Sequence, residues 1–166
     1  MTEKLKKLAP PGADLGADLR SFGLLVFLAW FLSGLFLIRY ETAFGRLFET
    51  AYDHTTLRSG AVMLPAGEVL HHSMAGFTVT VIAQAANVVR NYRMFTEETK
   101  SIYLMKRLSA SKELHIRCWA LPLLFSAAAV LIAFLLIGID LAYYYLRTPA
   151  ECLPPSMQLQ LWRIFL

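Results

Sequence analysis

Apolar and charged positions fall in long blocks along this chain. Eighteen residues without a charge separate Arg20 from Arg39, 21 separate Glu68 from Arg90, and 22 separate Arg117 from Asp140. A helix crossing a hydrocarbon layer of roughly 30 Å needs about 20 residues. In lipid every backbone N–H and C=O must be paired within its own segment, so a helix is the form each run can take. The pattern predicts an all-α, polytopic membrane protein with three transmembrane helices, residues 21–39, 69–90 and 118–146, in a single membrane domain. Between and around them lie an N-terminal segment 1–20, a loop 40–67, a loop 91–117 and a tail 147–166.

The first and third runs, SFGLLVFLAWFLSGLFLI and CWALPLLFSAAAVLIAFLLIGI, are apolar throughout. The second, VLHHSMAGFTVTVIAQAANVV, carries polar residues in order, and a buried helix of a soluble domain is its competing reading. Ser73, Thr80, Gln84, Asn87 and Asn91 step by 7, 4, 3 and 4, which places them on one helix face with Gly76 and Ala83 beside them. Such a face is either a packing side, where backbones approach and side chains bond across helices, or the lining of a solute path.

Shorter patterns fill the gaps. Leu15, Leu19 and Phe22 oppose Asp14 and Asp18, which reads equally as a short helix on the inner membrane surface and as a loose tail. Tyr40, Ala43, Phe44, Leu47, Phe48 and Ala51 recur at helical spacing and predict an amphipathic helix that ends near Asp53. Residues 58–67, with Gly60, Pro65 and Gly67, read as a loop. Ser111 is a fair N-cap for a helix running past Pro122 to Tyr145, with Trp119 and Tyr143, Tyr144 and Tyr145 at the two interfaces. The apolar residues of the tail, Leu159 to Leu166, are expected to re-enter the outer interface.

Composition agrees with the block pattern: 57% of residues are hydrophobic, 17% are charged, and the mean hydropathy is +0.49. Soluble domains carry about a quarter charged residues. Lys and Arg number four in the N-terminal segment, seven from Arg90 to Arg117, three from Arg39 to Glu68 and two in the tail. Eleven against five puts the N-terminus and the loop 91–117 inside and the C-terminus outside, most simply in a bacterial cytoplasmic membrane. The net charge of +4 then reports topology, and no nucleic acid is implied. This topology separates Cys118 from Cys152 by a membrane thickness, so no disulfide is expected between them.

Candidate chemistry is sparse. Glu68, His71 and His72, with Asp53 and His54, are ligand types for a metal or a haem, which leaves a small membrane redox or cofactor-binding subunit as an alternative reading. Neighbouring His71 and His72 would diverge by about 100° on a helix of 3.6 residues per turn, so no metal and no cofactor is expected, and the histidines read as interfacial. No phosphate loop, nucleophile elbow, CxxC or HExxH is present. Asp140 lies at the outer edge of the third run and reads as interfacial. No catalytic residue is expected, and a purely structural membrane protein is a further alternative.

The block TEETKSIYLMKRLSASKELHIR, residues 96–117, is the strongest candidate. Thr96 caps a short helix with Glu97 and Glu98 in its first turn and Lys106 and Arg107 in its last, both favourable to the helix dipole. Ile102, Met105 and Leu108 form one apolar edge, and Ser109-Ala110-Ser111 ends the helix. The run from Glu98 to Leu114 resembles the segment after the second span of type-2 export permeases of ATP-binding-cassette transporters. There an acid, a Thr or Gly and a Leu-rich turn lead into Pro-x-Ser-Arg-x-Glu and the third span. Ser109 stands in place of that Pro and Lys112 in place of that Arg, and three spans stand where a full permease has six. The resemblance implies a half-permease or accessory subunit, paired with a cytoplasmic ATP-binding subunit and with a second membrane subunit or a second copy of itself. It also implies a docking surface for the ATPase made of Glu97, Glu98, Lys100, Ile102, Tyr103, Met105, Lys106, Arg107 and Leu108. On the same reading Ser73, Gly76, Thr80, Gln84 and Asn87 pack helices together or line the pathway.

Overall fold

The computed structural model describes residues 14–51, 54–58, 60–97, 111–154 and 164–165. The chain is mostly helical. In order come α1 (Leu15–Ser33), α2 (Leu35–Gly45), β1 (Phe48–Ala51), β2 (His54–Leu57), α3 (Ala66–Val69), α4 (Ala75–Glu97), α5 (Ser111–Arg147) and a single 3₁₀ turn (Ala150–Cys152). Two stretches are long and apolar enough to cross a membrane by length and composition, Leu15–Gly45, which spans α1 and α2, and His115–Arg147 within α5.

Contacts group the chain into two compact units, residues 1–26 with 79–131 and residues 27–78 with 132–166. In the first unit Leu121 and Phe125 of α5 form a small core against Leu15 and Phe22 of α1. Phe22 and Phe125 stack with centroids 4.5 Å apart and rings 9° from parallel. The N-terminal amphipathic residues are therefore the first turns of α1 itself, not a separate surface helix or a loose tail. Asp14 starts α1 in the manner of an N-cap, its Oδ1 accepting from the backbone N–H of Gly16 (2.9 Å) and Ala17 (3.2 Å).

The second unit is built around aromatic rings. Tyr40 of α2 is fully buried, with the rings of Phe44, Tyr143 and Tyr144 at 5.7, 5.2 and 6.0 Å, and its hydroxyl is 3.2 Å from Thr148 Oγ1. Tyr144 donates to Leu64 O at 2.8 Å. Of the tyrosines expected to form an interfacial belt, Tyr144 is thus a core residue, whereas Tyr145 is 39% exposed. Met63 N donates to Cys152 O (2.8 Å) and Met74 N to Ile164 O (3.1 Å), and Ile164 is buried. Residues 164–165 thus pack against the turn that precedes α4. Cys118 belongs to the first unit and Cys152 to the second, and both are buried free thiols.

Two expectations are corrected here. The amphipathic helix expected to reach residue 51 stops at Gly45, and Phe48–Ala51 instead pairs antiparallel with His54–Leu57 in the register Phe48↔Leu57, Glu49↔Thr56, Thr50↔Thr55, Ala51↔His54. Glycine is a poor helix residue, and the Thr-rich segment beyond it favours a pleated backbone, so the fold is not purely α-helical. The helix of the second run starts at Ala75 and not at residue 69. Ahead of it lie the one-turn α3 and a turn through residues 70–74, in which His72 takes the left-handed backbone, φ 60°.

Candidate functional site

Residues 98–110, the centre of the expected docking block, lie outside the described residues, as do the side chains of Glu97 and of 111–114. The expected docking residues Glu98, Lys100, Ile102, Tyr103, Met105, Lys106, Arg107 and Leu108 all fall in that segment. What the structure does describe is the pair of stems that carry it, the end of α4 and the beginning of α5, both in the first unit.

Three consecutive residues of α4 hold the stems, two of them to each other and one to α1. Tyr92 of α4 reaches across to α5, its hydroxyl 2.6 Å from His115 Nδ1, and it accepts from Trp119 Nε1 at 3.1 Å. Two residues back, Arg90 forms an ion pair with Asp18 of α1. Between these, Asn91 donates from Nδ2 to Cys118 O at 3.4 Å.

Pro122 explains the last contact. In a helix the carbonyl of residue 118 would accept from the N–H of residue 122, and proline has none. Pro122 sits inside α5 without ending it, and the Cys118 carbonyl it leaves unpaired takes its hydrogen bond from Asn91. This is how an interior proline is tolerated where water cannot serve the backbone, a neighbouring side chain standing in for the missing donor.

The polar stripe of α4 divides between the units. Ser73 lies in the turn ahead of the helix and returns its hydroxyl to Leu70 O at 2.8 Å. Gly76 lies so close to α1 that a Cβ placed on it would be 2.7 Å from Ala29 Cα. In the first unit Thr80, Gln84 and Asn91 are buried, and Asn87 is half-buried, donating from Nδ2 to Gln84 Oε1 at 3.2 Å. Gln84 Nε2 and Asn91 Oδ1 are buried with no hydrogen-bond partner. The residues that α4 exposes are Val79, Ile82, Ala85, Ala86 and Val89, followed by Arg90 and Arg93. Thr80, Gln84 and Asn91 thus share the inward face of the helix with Phe77 and Val88, and the outward face before Arg90 is aliphatic.

The histidine candidates are placed differently from expectation. His71 and His72 lie in the turn before α4 and not on a helix, and their rings approach to 3.7 Å between centroids, so the divergence expected from helical geometry does not arise. No group of three or more His, Cys, Asp or Glu converges among the described residues. Asp140 is half-buried, and its Oδ2 is buried without a hydrogen-bond partner.

Tyr92, His115 and Trp119 were not visible as a site in the sequence, since nothing local marks a contact across 23 or 27 residues. The Asn91 contact had a usable signal, a proline four residues beyond a carbonyl on one helix and an amide on its neighbour. No family model, curated protein or solved structure matches the chain.

Proposed function

We propose that the chain is a three-span membrane subunit of an ATP-binding-cassette transport system, without catalytic activity of its own, that passes the motion of a cytoplasmic ATPase into its helices. The observation that carries the membrane part is the aliphatic outward face of α4. A soluble helix presents polar residues to water and buries the apolar ones, whereas α4 exposes Val79 at 58%, Ile82 at 63% and Val89 at 54% and buries Gln84 at 1%. Its mean hydropathy is lowered by the residues that would never meet lipid. The other two spans agree, with only 17% and 33% of their most apolar windows buried within the fold.

The coupling part rests on the stems. Residues 98–110 are bracketed by two helix ends joined through Tyr92, Asn91, His115, Cys118 and Trp119. A force on the docking residues would reach α4 and α5 together. Three spans are half of a permease, so a second copy or another membrane subunit completes the pathway, and the basic stems face the cytoplasm.

Spin labels placed singly at Ile82, Ala86 and Val89 test the membrane reading. High accessibility to oxygen and low accessibility to a water-soluble nickel chelate are expected in bilayers, and the reverse would refute a third span. For coupling, ATPase activity is expected to copurify with the wild-type chain from native membranes and to be lost with Met105→Asp or Leu108→Asp. Equal recovery from wild type and variants, or none from either, would remove the ATPase partner.

A further inference from the structure

The second unit holds a cationic cavity that the coupling role does not use. It measures about 490 Å³ and is lined by Ala43, Arg46, Leu47, Arg58, Gly60, Ala61, Val62 and Leu64. The backbone brings its two arginines together. Arg46 follows the end of α2, Arg58 follows β2, and Arg58 N donates to Leu47 O at 2.9 Å, closing the hairpin onto the helix. Neither guanidinium has a hydrogen bond or ion pair among the described residues. Among the described residues, no carboxylate lines this cavity. Glu41, the acid on α2, is engaged with Arg147 at 2.8 Å, and Glu68 lines an adjoining cavity of about 270 Å³ that shares Ala43, Arg46 and Leu64 with this one.

We propose that the cavity bounded by Arg46 and Arg58 binds a phosphoryl anion. Two planar guanidiniums offer paired donors that match the oxygens of a phosphate group. The aliphatic wall of Ala43, Leu47, Val62 and Leu64 is suited to a ligand that is apolar next to its anionic group, as the glycerol and acyl portion of a phospholipid is. A headgroup and a free phosphate share this chemistry, and the two sources can be separated. The proposal is independent of the ATPase.

The test uses the full chain in phosphatidylcholine nanodiscs containing a minority of phosphatidylglycerol, with the lipid retained through purification counted by mass spectrometry. In parallel, thermal unfolding is followed with added inorganic phosphate. Enrichment of phosphatidylglycerol by the wild type, reduced about tenfold in Arg46→Gln and Arg58→Gln, as loss of a charge-assisted hydrogen bond implies, identifies a headgroup site. Stabilisation by inorganic phosphate without lipid preference, absent in both variants, identifies a free phosphoryl ligand. Both arginines are exposed, so neither substitution removes packing. Arg20→Gln in the other unit controls for a simple change in net charge. No enrichment and no stabilisation in the wild type, or the same loss in Arg20→Gln, would overturn the proposal.

Discussion

The pairing of Asn91 with the carbonyl freed by Pro122 gives a prediction whose sign depends on a second residue. At 3.4 Å the Asn91 Nδ2 to Cys118 O contact is long, so its own worth lies toward the low end of the roughly 0.5–1.5 kcal/mol of a neutral hydrogen bond. Asn91→Leu removes it and leaves a buried carbonyl unpaired, at a cost of about 1–3 kcal/mol. The same substitution also removes Asn91 Oδ1, which is buried and unpartnered, and that relief offsets part of the loss. Asn91→Leu alone is therefore expected to be neutral to mildly destabilising. With Ala at position 122, an N–H returns to serve the Cys118 carbonyl, and Asn91 becomes a buried amide with no role. In that background Asn91→Leu should stabilise. The helix-propensity gain of Pro122→Ala, about 3 kcal/mol, is common to both arms and cancels. The coupling energy from the four proteins, measured by reversible unfolding in mixed micelles, is expected near 1 kcal/mol. A coupling below about 0.5 kcal/mol, the scatter between independent sites, would show that the amide does not serve the carbonyl.

Gly76 and Gly138 are expected to respond oppositely to alanine. A Cβ at Gly76 would sit 2.7 Å from Ala29 Cα, a backbone atom no side-chain change can move, whereas one at Gly138 meets nothing within 4 Å. Gly76→Ala should cost about 1–3 kcal/mol by overpacking, less any helix gain, and Gly138→Ala should stabilise by roughly 0.5–1 kcal/mol, both read as shifts in unfolding midpoint. Tyr92→Phe removes the hydroxyl shared by His115 and Trp119. It should lower stability by about 1–2 kcal/mol, with a change in Trp119 fluorescence; an unaltered spectrum would show that the indole does not bond there. Glu41→Gln breaks the pair with Arg147, and because both side chains are about half exposed, the shift in unfolding midpoint should be small and shrink with added salt.

How much of this was legible in the sequence depends on the scale of the pattern. The first and third helices announce themselves because every face of SFGLLVFLAWFLSGLFLI and CWALPLLFSAAAVLIAFLLIGI is apolar. The stripe on α4 was legible as a face because Thr80, Gln84, Asn87 and Asn91 keep helical spacing over three turns. The hairpin was not, since Phe44, Leu47, Phe48 and Ala51 satisfy a period of 3.6, and only Gly45 and the threonines beyond it argue against the helix. The cluster of Tyr40 with Tyr143, Tyr144 and Thr148 and the cavity of Arg46 and Arg58 depend on chain segments that only the fold brings together.

The two faces of α4 show why an averaged hydropathy and a burial pattern can disagree about one helix. Averaging treats every face alike, so Thr80, Gln84 and Asn91 count against a span although they are 4% exposed or less. In a membrane, lipid would meet only the outer face, which on α4 would be Val79, Ile82, Ala85, Ala86 and Val89. Water at that face would leave an aliphatic stripe solvated along nearly three turns while Gln84 Nε2 and Asn91 Oδ1 stay buried without partners, losing free energy on both sides of the helix. Hydrocarbon at that face removes the first cost. The second, the two unpaired buried atoms, is unaffected by lipid, so it has to be justified from within the protein. For Asn91 the justification is Pro122: an amide held at this position for its donor keeps an idle oxygen as the consequence. Among the described residues Gln84 has only the bond it accepts from Asn87 to set against its idle nitrogen, and replacing it with leucine is the substitution on this face least expected to reduce stability.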